Sequence, residues 1–566
     1  MGSRHSPFVL LLLSACASHG NFAPRPPLGR DTDLASVTVP CHDEPSAKDP
    51  HHVSCAPEPY VSPLVWDGMD NSVFRPVSDV LAIRATKEAA NATSIDEVAD
   101  SAWFTNRIGV GALSVEELRK GACRPSQYLA PSAATDGSWV IDQGKPNGDS
   151  LGFRVRVPGN GKYMFKNDSD NNPERASAAS VIGAAVYYAV GFFSSCEQVV
   201  YFRRSLLKLT PGLHRVGNTG VEEVFDRKAL DMVLSKATKR GELIRMQASA
   251  WLPGYLIGPF RYEGTRSGDP NDIIPHEDRR ELRGVRLLAA WLNHYDSREQ
   301  NSMDSWIADQ PAVPDSSPGY VRHYYLDTSD SLGSEWAWDG ISRRLGRAYV
   351  LDWGDIGRDF VTLGIPTRDW EAVQRAPGRE KFGYFDVATF DPEAWKNEYP
   401  NPAFSRMTER DGAWMARILA HFTKEMVRTL AEMGNFSDPT DTDYLAYVLE
   451  ARLERILDRY LTRLSPLSDV HLEGGVELCA FDLARYRQVR KDSAFHYEAR
   501  LDARGSLPTT VDGDGRICVA LPRPSSSGYH VVSIYNGVAK GPLDVHLYDL
   551  GAVRGYLLAG LERPLP

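Results

Sequence analysis

Leu287–Ile307, LLAAWLNHYDSREQNSMDSWI, is the stretch whose reading decides the fold. An apolar run at helical spacing ends in Asn293-His294-Tyr295-Asp296, and Asn301 stands five positions after Asp296. Farther on, His323-Tyr-Tyr-Leu-Asp327 closes an aromatic, strand-like run on a second aspartate. These residue types suit phosphoryl transfer, which needs a carboxylate to orient or deprotonate the acceptor hydroxyl and short oxygen ligands to hold a metal on the phosphates. Asp296 is the candidate for the first task, and Asn301 and Asp327 are the candidate metal ligands. Tyr349-Val-Leu-Asp352-Trp353-Gly354 supplies a rival second aspartate, Asp352. Asp327 lies nearer to Asn301, needs the smaller insertion and is preferred.

Before this stretch the pattern is that of strands. Trp139–Asp142, Gly152–Val157 and Lys162–Lys166 alternate, and Pro158-Gly-Asn-Gly161 is a strong hairpin turn. Pro173-Glu174 then opens a helix that Gly191 ends. Lys166 at a strand end and Glu174 in the first helical turn are the candidate nucleotide-binding residues. A strand lysine holds nucleotide phosphates when a helix glutamate holds the lysine. Further strands are expected at Val199–Phe202 and Leu243–Ala250, and helices at Asp278–His294, Asp411–Met433 and Asp443–Leu464. After Pro466 short strands return, among them Tyr529–Tyr535 and Leu543–Tyr548. Asp269, Asp272, His276 and Glu277 are read as helix caps and ion-pair partners rather than as a metal site.

The expected fold is therefore α+β, with a strand-rich lobe over 138–260, a helical lobe over 261–466 and a small β-sandwich-like domain over 467–566. The first two follow each other in the order of a two-lobed protein-kinase-like fold. Residues 61–137 are mixed and carry no motif.

At 566 residues the chain has room for several domains, and 42% hydrophobic with 24% charged residues is a globular composition. The formal charge is −10, with no basic block, so nucleic acid is not an expected partner. Arg4 and His5 precede a short apolar run ending Leu13-Ser14-Ala15-Cys16. The run is too short to span a bilayer and reads as an export signal with a lipobox, Cys16 being the lipidation site. Ala17 after the cysteine is compatible with outer-membrane sorting. Residues 17–60, rich in Pro, Ser, Asp and His, read as a flexible tether. Export makes disulfides permissible. Cys41 with Cys55 and Cys479 with Cys518 are near in sequence, which leaves Cys123 for Cys196.

The stretches GFRVRVPGNGKYMFKND, NPERASAASVIGAAVYYAVG, YEGTRSGDPNDIIPHEDRRELRGVRLLAAWLNHYDSREQNSMD, RHYYLDTSDSLGS and NPAFSRMTERDGAWMARI resemble an uncharacterised family of exported bacterial proteins with a kinase-like fold. More distantly, NHYDSREQN with YYLDTSDSLGS is similar to the catalytic loop and metal aspartate of HipA-type kinases. The resemblance implies a catalytic Asp296, metal ligands Asn301 and Asp327, an ATP lysine at Lys166, and ATP or another nucleotide with Mg²⁺ or Mn²⁺ as cofactor. The chain departs from the pattern at Asp327-Thr328-Ser329, where related sequences often have Asp-Phe-Gly. The expectation is a lipid-anchored phosphotransferase acting on a protein or small molecule. The exported compartment, which lacks a steady ATP supply, keeps two other readings open: a pseudokinase or binding lipoprotein, and an envelope interaction protein.

Overall fold

A computed structural model describes Phe22 and residues 32–566, apart from short stretches at 46–48, 62–63, 82–87, 112, 147–149, 169–171, 218–220, 334–337, 504 and 526–527. The export signal and Cys16 lie outside the described residues. The protein is mixed α+β, with several separate sheets.

The first sheet is built from β1 (Trp139–Gly144), β2 (Gly152–Val157), β3 (Gly161–Lys166), β4 (Glu197–Phe202), β5 (Leu207–Leu209) and β6 (Leu243–Ala250). Its spatial order is β4-β6-β3-β2-β1-β5, with the short strand Lys239–Arg240 also on β6. Alternation sends Ile141, Phe153, Val155, Tyr163, Phe165 and Met246 into one apolar cluster. Helix α1 (Arg175–Val190) joins β3 to β4 in the chain. Its Ala, Ser, Gly and Val residues are buried on almost every side, as expected of a helix sandwiched within the protein rather than lying on its surface. Pro173 and Glu174, expected in the first helical turn, stand before it. Glu174 is the cap residue, in the left-handed region at φ 68°.

Helix α2 (Arg280–Leu292) runs through the largest core and ends at Asn293, φ 51°, a residue that tolerates the left-handed cap. It leads into β7 (Ser302–Ala308) and β8 (Gly319–Tyr325), the central hairpin of a second sheet that also holds Tyr255–Leu256 and Phe193–Ser194. Then come α3 (Trp353–Thr362), α4 (Glu409–Leu419), α5 (Lys424–Met433) and α6 (Pro439–Tyr460). The single helix expected over Asp411–Met433 is thus broken. Thr423 caps α5 by accepting from the Met426 N–H, which ends one helix and starts the next. After Pro466, a four-stranded and a five-stranded sheet close over one shared core containing Leu478, Val519, Val532 and Val545.

One N-terminal stretch differs from expectation, and another, which carried no motif, takes a place in the core. The segment read as a tether is folded onto the body from Thr32 onward. Val37 bridges to Gly319, and Val39 and Ala56 are buried beside Trp306 and Val321. Within 61–137, Trp103, Phe104, Ile108 and Leu118 enter the largest core. Disulfides join Cys41 to Cys55, Cys123 to Cys196 and Cys479 to Cys518. Among the described residues no helix is long and apolar enough to cross a membrane.

Candidate active site

The site is assembled by hairpin register. Ser302 opposes Tyr325 at the open end of β7 and β8, so Asn301 and Leu326 face each other one residue beyond. The Leu326 N–H donates to the Asn301 carbonyl at 2.9 Å, which fixes Asp327 beside the loop 293–301. The loop starts from a clamped helix end. Arg452 on α6 donates to the carbonyls of Ala290 (2.6 Å), Trp291 (2.9 Å) and Asp386 (2.9 Å), and the Trp395 indole donates to Asn293 Oδ1 at 2.9 Å. Within the loop, Asn301 Nδ2 donates to the Asp296 carboxylate at 2.9 Å and to its carbonyl at 2.6 Å.

Lys166, the last residue of β3, meets this loop from the first sheet: its Nζ lies 2.8 Å from Asp327 Oδ2. Burial opposes the charge of each partner, yet the contact wins on both sides. Lys166 is raised above the ordinary lysine value, and Asp327 is held well below the carboxylate range. Asp327 sits in the left-handed region at φ 41° and accepts from Ser329 Oγ at 2.6 Å. Helix α1 holds the turn in place. Arg175 donates to the Ser329 and Ser331 carbonyls at 2.8 Å each, and Thr328 Oγ1 lies 3.3 Å from the Ala179 and Ser180 carbonyls. Gly183 permits this approach, since a Cβ there would stand 2.3 Å from Thr328 Oγ1.

The four polar residues singled out in the sequence are therefore two directly bonded pairs, Lys166–Asp327 and Asp296–Asn301, joined through the hairpin end. Two other candidates are placed elsewhere. Glu174 does not hold Lys166: its carboxylate accepts from the Ser437 N–H at 3.1 Å and pairs with Lys381 at 3.2 Å. The left-handed cap turns its side chain toward the helical body. Asp352 caps α3 by accepting from the Gly354 and Asp355 N–H groups, and it pairs with Lys396 at 2.6 Å. The run before it is a turn rather than a strand, so that carboxylate is spent on a helix start.

Residues not singled out complete the surroundings. Glu197 on β4 lies on the lysine's side of the sheet, bonded to Gln247 at 2.9 Å, while Gln247 pairs with Lys166 across β6 and β3. Its carboxyl is raised by burial, against its serine and glutamine donors and the nearby Lys166 charge. His294 is fully buried, Nδ1 2.9 Å from the Tyr187 hydroxyl. Burial lowers it to about 4, against the opposing pull of Asp330 and Asp327, so the ring is neutral at pH 7. Asp330 acts electrostatically on Lys166, His294 and Asp296 alike. Asp296 is raised well above the carboxylate range by burial. The Arg298 charge opposes this, and the neighbouring Glu398 carboxylate adds to it. Arg298 lies 2.7 Å from Asp296 and 3.4 Å from Glu398. His294 and Asp330 had local signals, the His-x-Asp spacing and a third aspartate in Asp327-Thr-Ser-Asp330. Glu197 and Glu398 had none, because only the fold brings them near.

Asn301 commits its amide nitrogen to Asp296 and keeps Oδ1, while Asp327 contributes carboxylate oxygens. Such hard oxygen donors fit Mg²⁺ or Mn²⁺. Glu477, Cys479 and Cys518 also crowd together, but the two sulfurs are bonded to each other. Asp272 is hydrogen-bonded to His276 at 2.7 Å and lies 3.9 Å from Arg279, in keeping with an ion-pair role. Comparison with family models, curated proteins and solved structures found no match to this chain.

Proposed function

We propose that this chain is a metal- and nucleotide-dependent phosphotransferase with a two-lobed kinase-like arrangement, exported and held at a membrane through a lipidated Cys16. The acceptor is a hydroxyl of a protein or small molecule. One observation carries the reading: the strand lysine and the post-strand aspartate touch at 2.8 Å, beside the bonded Asp296–Asn301 pair. In this reading Lys166 binds nucleotide phosphates, and Asn301 and Asp327 hold Mg²⁺ or Mn²⁺. The metal's charge offsets that of the phosphates. Asp296 orients the acceptor hydroxyl and takes its proton. His294, neutral and bonded to Tyr187, fixes the loop from behind.

A second reading, a binding protein that keeps the pocket without transfer, draws support from Glu398. Its carboxylate beside buried Asp296 favours a protonated Asp296, which is a poor base.

The first test is thermal stabilisation by ATP with Mg²⁺ or Mn²⁺. At a ligand concentration a hundredfold above Kd, a shift equivalent to about 2.7 kcal/mol is expected. It should be lost in Asp327→Ala and Lys166→Met. Phosphate transfer from labelled ATP then separates the readings. Binding without transfer supports the second, and no binding by a folded sample removes both nucleotide readings.

A further inference from the structure

Helix α3 is laid on the protein inside out. A helix at the surface of a globular domain normally turns its apolar stripe to the core. Here Asp355 and Asp359 turn to Arg368, and no residue of the helix is buried. Its apolar face, Trp353, Ile356, Phe360 and Val361, points outward and continues into Leu363 and Ile365 after the helix. Phe360 and Leu363 are each 85% exposed. The Trp353 indole donates to the Ser72 carbonyl at 3.0 Å, so this surface adjoins the helical segment around residues 64–81. There Trp66 and Phe74, stacked at 5.5 Å, are half exposed too. An apolar surface this continuous marks a docking site.

We propose that the outer face of α3 and the turn after it seat in the interfacial region of a phospholipid bilayer. Charge points to that occupant. The two carboxylates of the helix are drawn to Arg368, and Asp355 also lies 3.5 Å from Arg358, which stays nearly half exposed at the rim, so neither carboxylate faces outward unpaired. The surface is thus apolar and carries tryptophans, with the carboxylates of the helix all paired to guanidinium groups, the composition of a face that seats at a membrane interface. The chain's start points the same way. Phe22 stacks on His546 at 4.4 Å and its N–H donates to the Tyr529 hydroxyl at 3.1 Å. Five residues stand between it and Cys16, at most about 20 Å of extended chain. This second support rests on the lipid-anchor reading: a bilayer holding Cys16 lies within reach of the folded body, at high effective concentration.

The test uses the chain beginning at residue 17, which keeps every described residue and has no lipid. It is mixed with vesicles of phosphatidylethanolamine and phosphatidylglycerol and sedimented. The parent should partition onto the vesicles, and Phe360→Ser/Leu363→Ser should reduce partition at least tenfold. The Tm should be unchanged, because both side chains stand in solvent. No partition by the parent, or equal partition by the variant, overturns the proposal. A concentration-dependent dimer lost in the variant also overturns it and assigns the face to a second copy. Labelled palmitate incorporation into the full chain, compared with Cys16→Ala, tests the anchor separately.

Discussion

The Lys166–Asp327 contact and the buried His294 respond to pH in different ranges. Asp327 is depressed, so its contribution is complete above the ordinary aspartate range and is lost as pH falls through its folded value. Lys166 is raised, so its contribution is complete below the ordinary lysine range and is lost only as pH climbs past its own folded value. Between those limits the pair is insensitive to pH. Asp327 is one-third exposed, so breaking the pair costs about 1 kcal/mol, far less than a dry ion pair would imply. His294 behaves differently. Its folded value of about 4 lies below the unfolded value near 6.5, so the unfolded chain binds the proton first. Stability should fall by about 3 kcal/mol as pH drops from 6.5 to 4, and no further from this group below that. Urea midpoints of the parent and His294→Gln across that window check this. The variant should have the shallower slope, and equal slopes would mean the ring is not held neutral.

Helices set the positions of both halves of the site. Gly183 on α1 lets Asp327-Thr328-Ser329 lie against the helix, so Gly183→Ala should cost about 1–3 kcal/mol by overpacking. The same change should weaken the Mg²⁺–ATP thermal shift, because the displaced turn carries Asp327. Arg452 satisfies two carbonyls at the end of α2 and one at Asp386. Arg452→Met should cost about 2–4 kcal/mol by taking the donor from the Trp291 and Asp386 carbonyls, while the Ala290 carbonyl keeps the Asn293 N–H. Faster hydrogen exchange over 289–301 would locate the loss; unchanged exchange there would show that the loop is held by other contacts. Most of these elements were legible in the sequence. The three strands follow from periodicity and turn residues, as do the helical runs expected over 278–294, 411–433 and 443–464, whose ends lie a few residues from those observed. The break at Thr423 was missed because apolar spacing continues across it.

On the scale of the molecule, one buried residue ties three regions together. Asp96 accepts from Arg280 on α2 at 2.6 Å, pairs with Arg417 on α4 at 3.2 Å, and binds Arg563 near the end of the β domain. Burial would raise its carboxyl, but the three guanidinium groups hold it well below the carboxylate range. Asp96→Ala leaves three buried cations around a void and should cost about 3–5 kcal/mol. Calorimetry should show the β domain melting apart from the rest in the variant; a single unchanged transition would mean that packing around Leu483, Ala484 and Phe495 suffices to couple them.

By itself, the sequence determined the local features: strand and helix periods, the turn at Pro158–Gly161, and the spacing of Asp296, Asn301 and Asp327 that singles them out. These are short-range properties, set by residue type over a few positions. Tertiary structure decided which carboxylates face which cations. It gave Lys166 to Asp327, sent Glu174 to Lys381 and Asp352 to Lys396, and brought Glu197 and Glu398 to the site from distant strands and loops. It also turned the apolar face of α3 outward. A lone carboxylate in a sequence is equally able to cap a helix, pair with a surface cation or bind a metal. Only hairpin register and the direction of a helix end remove that degeneracy.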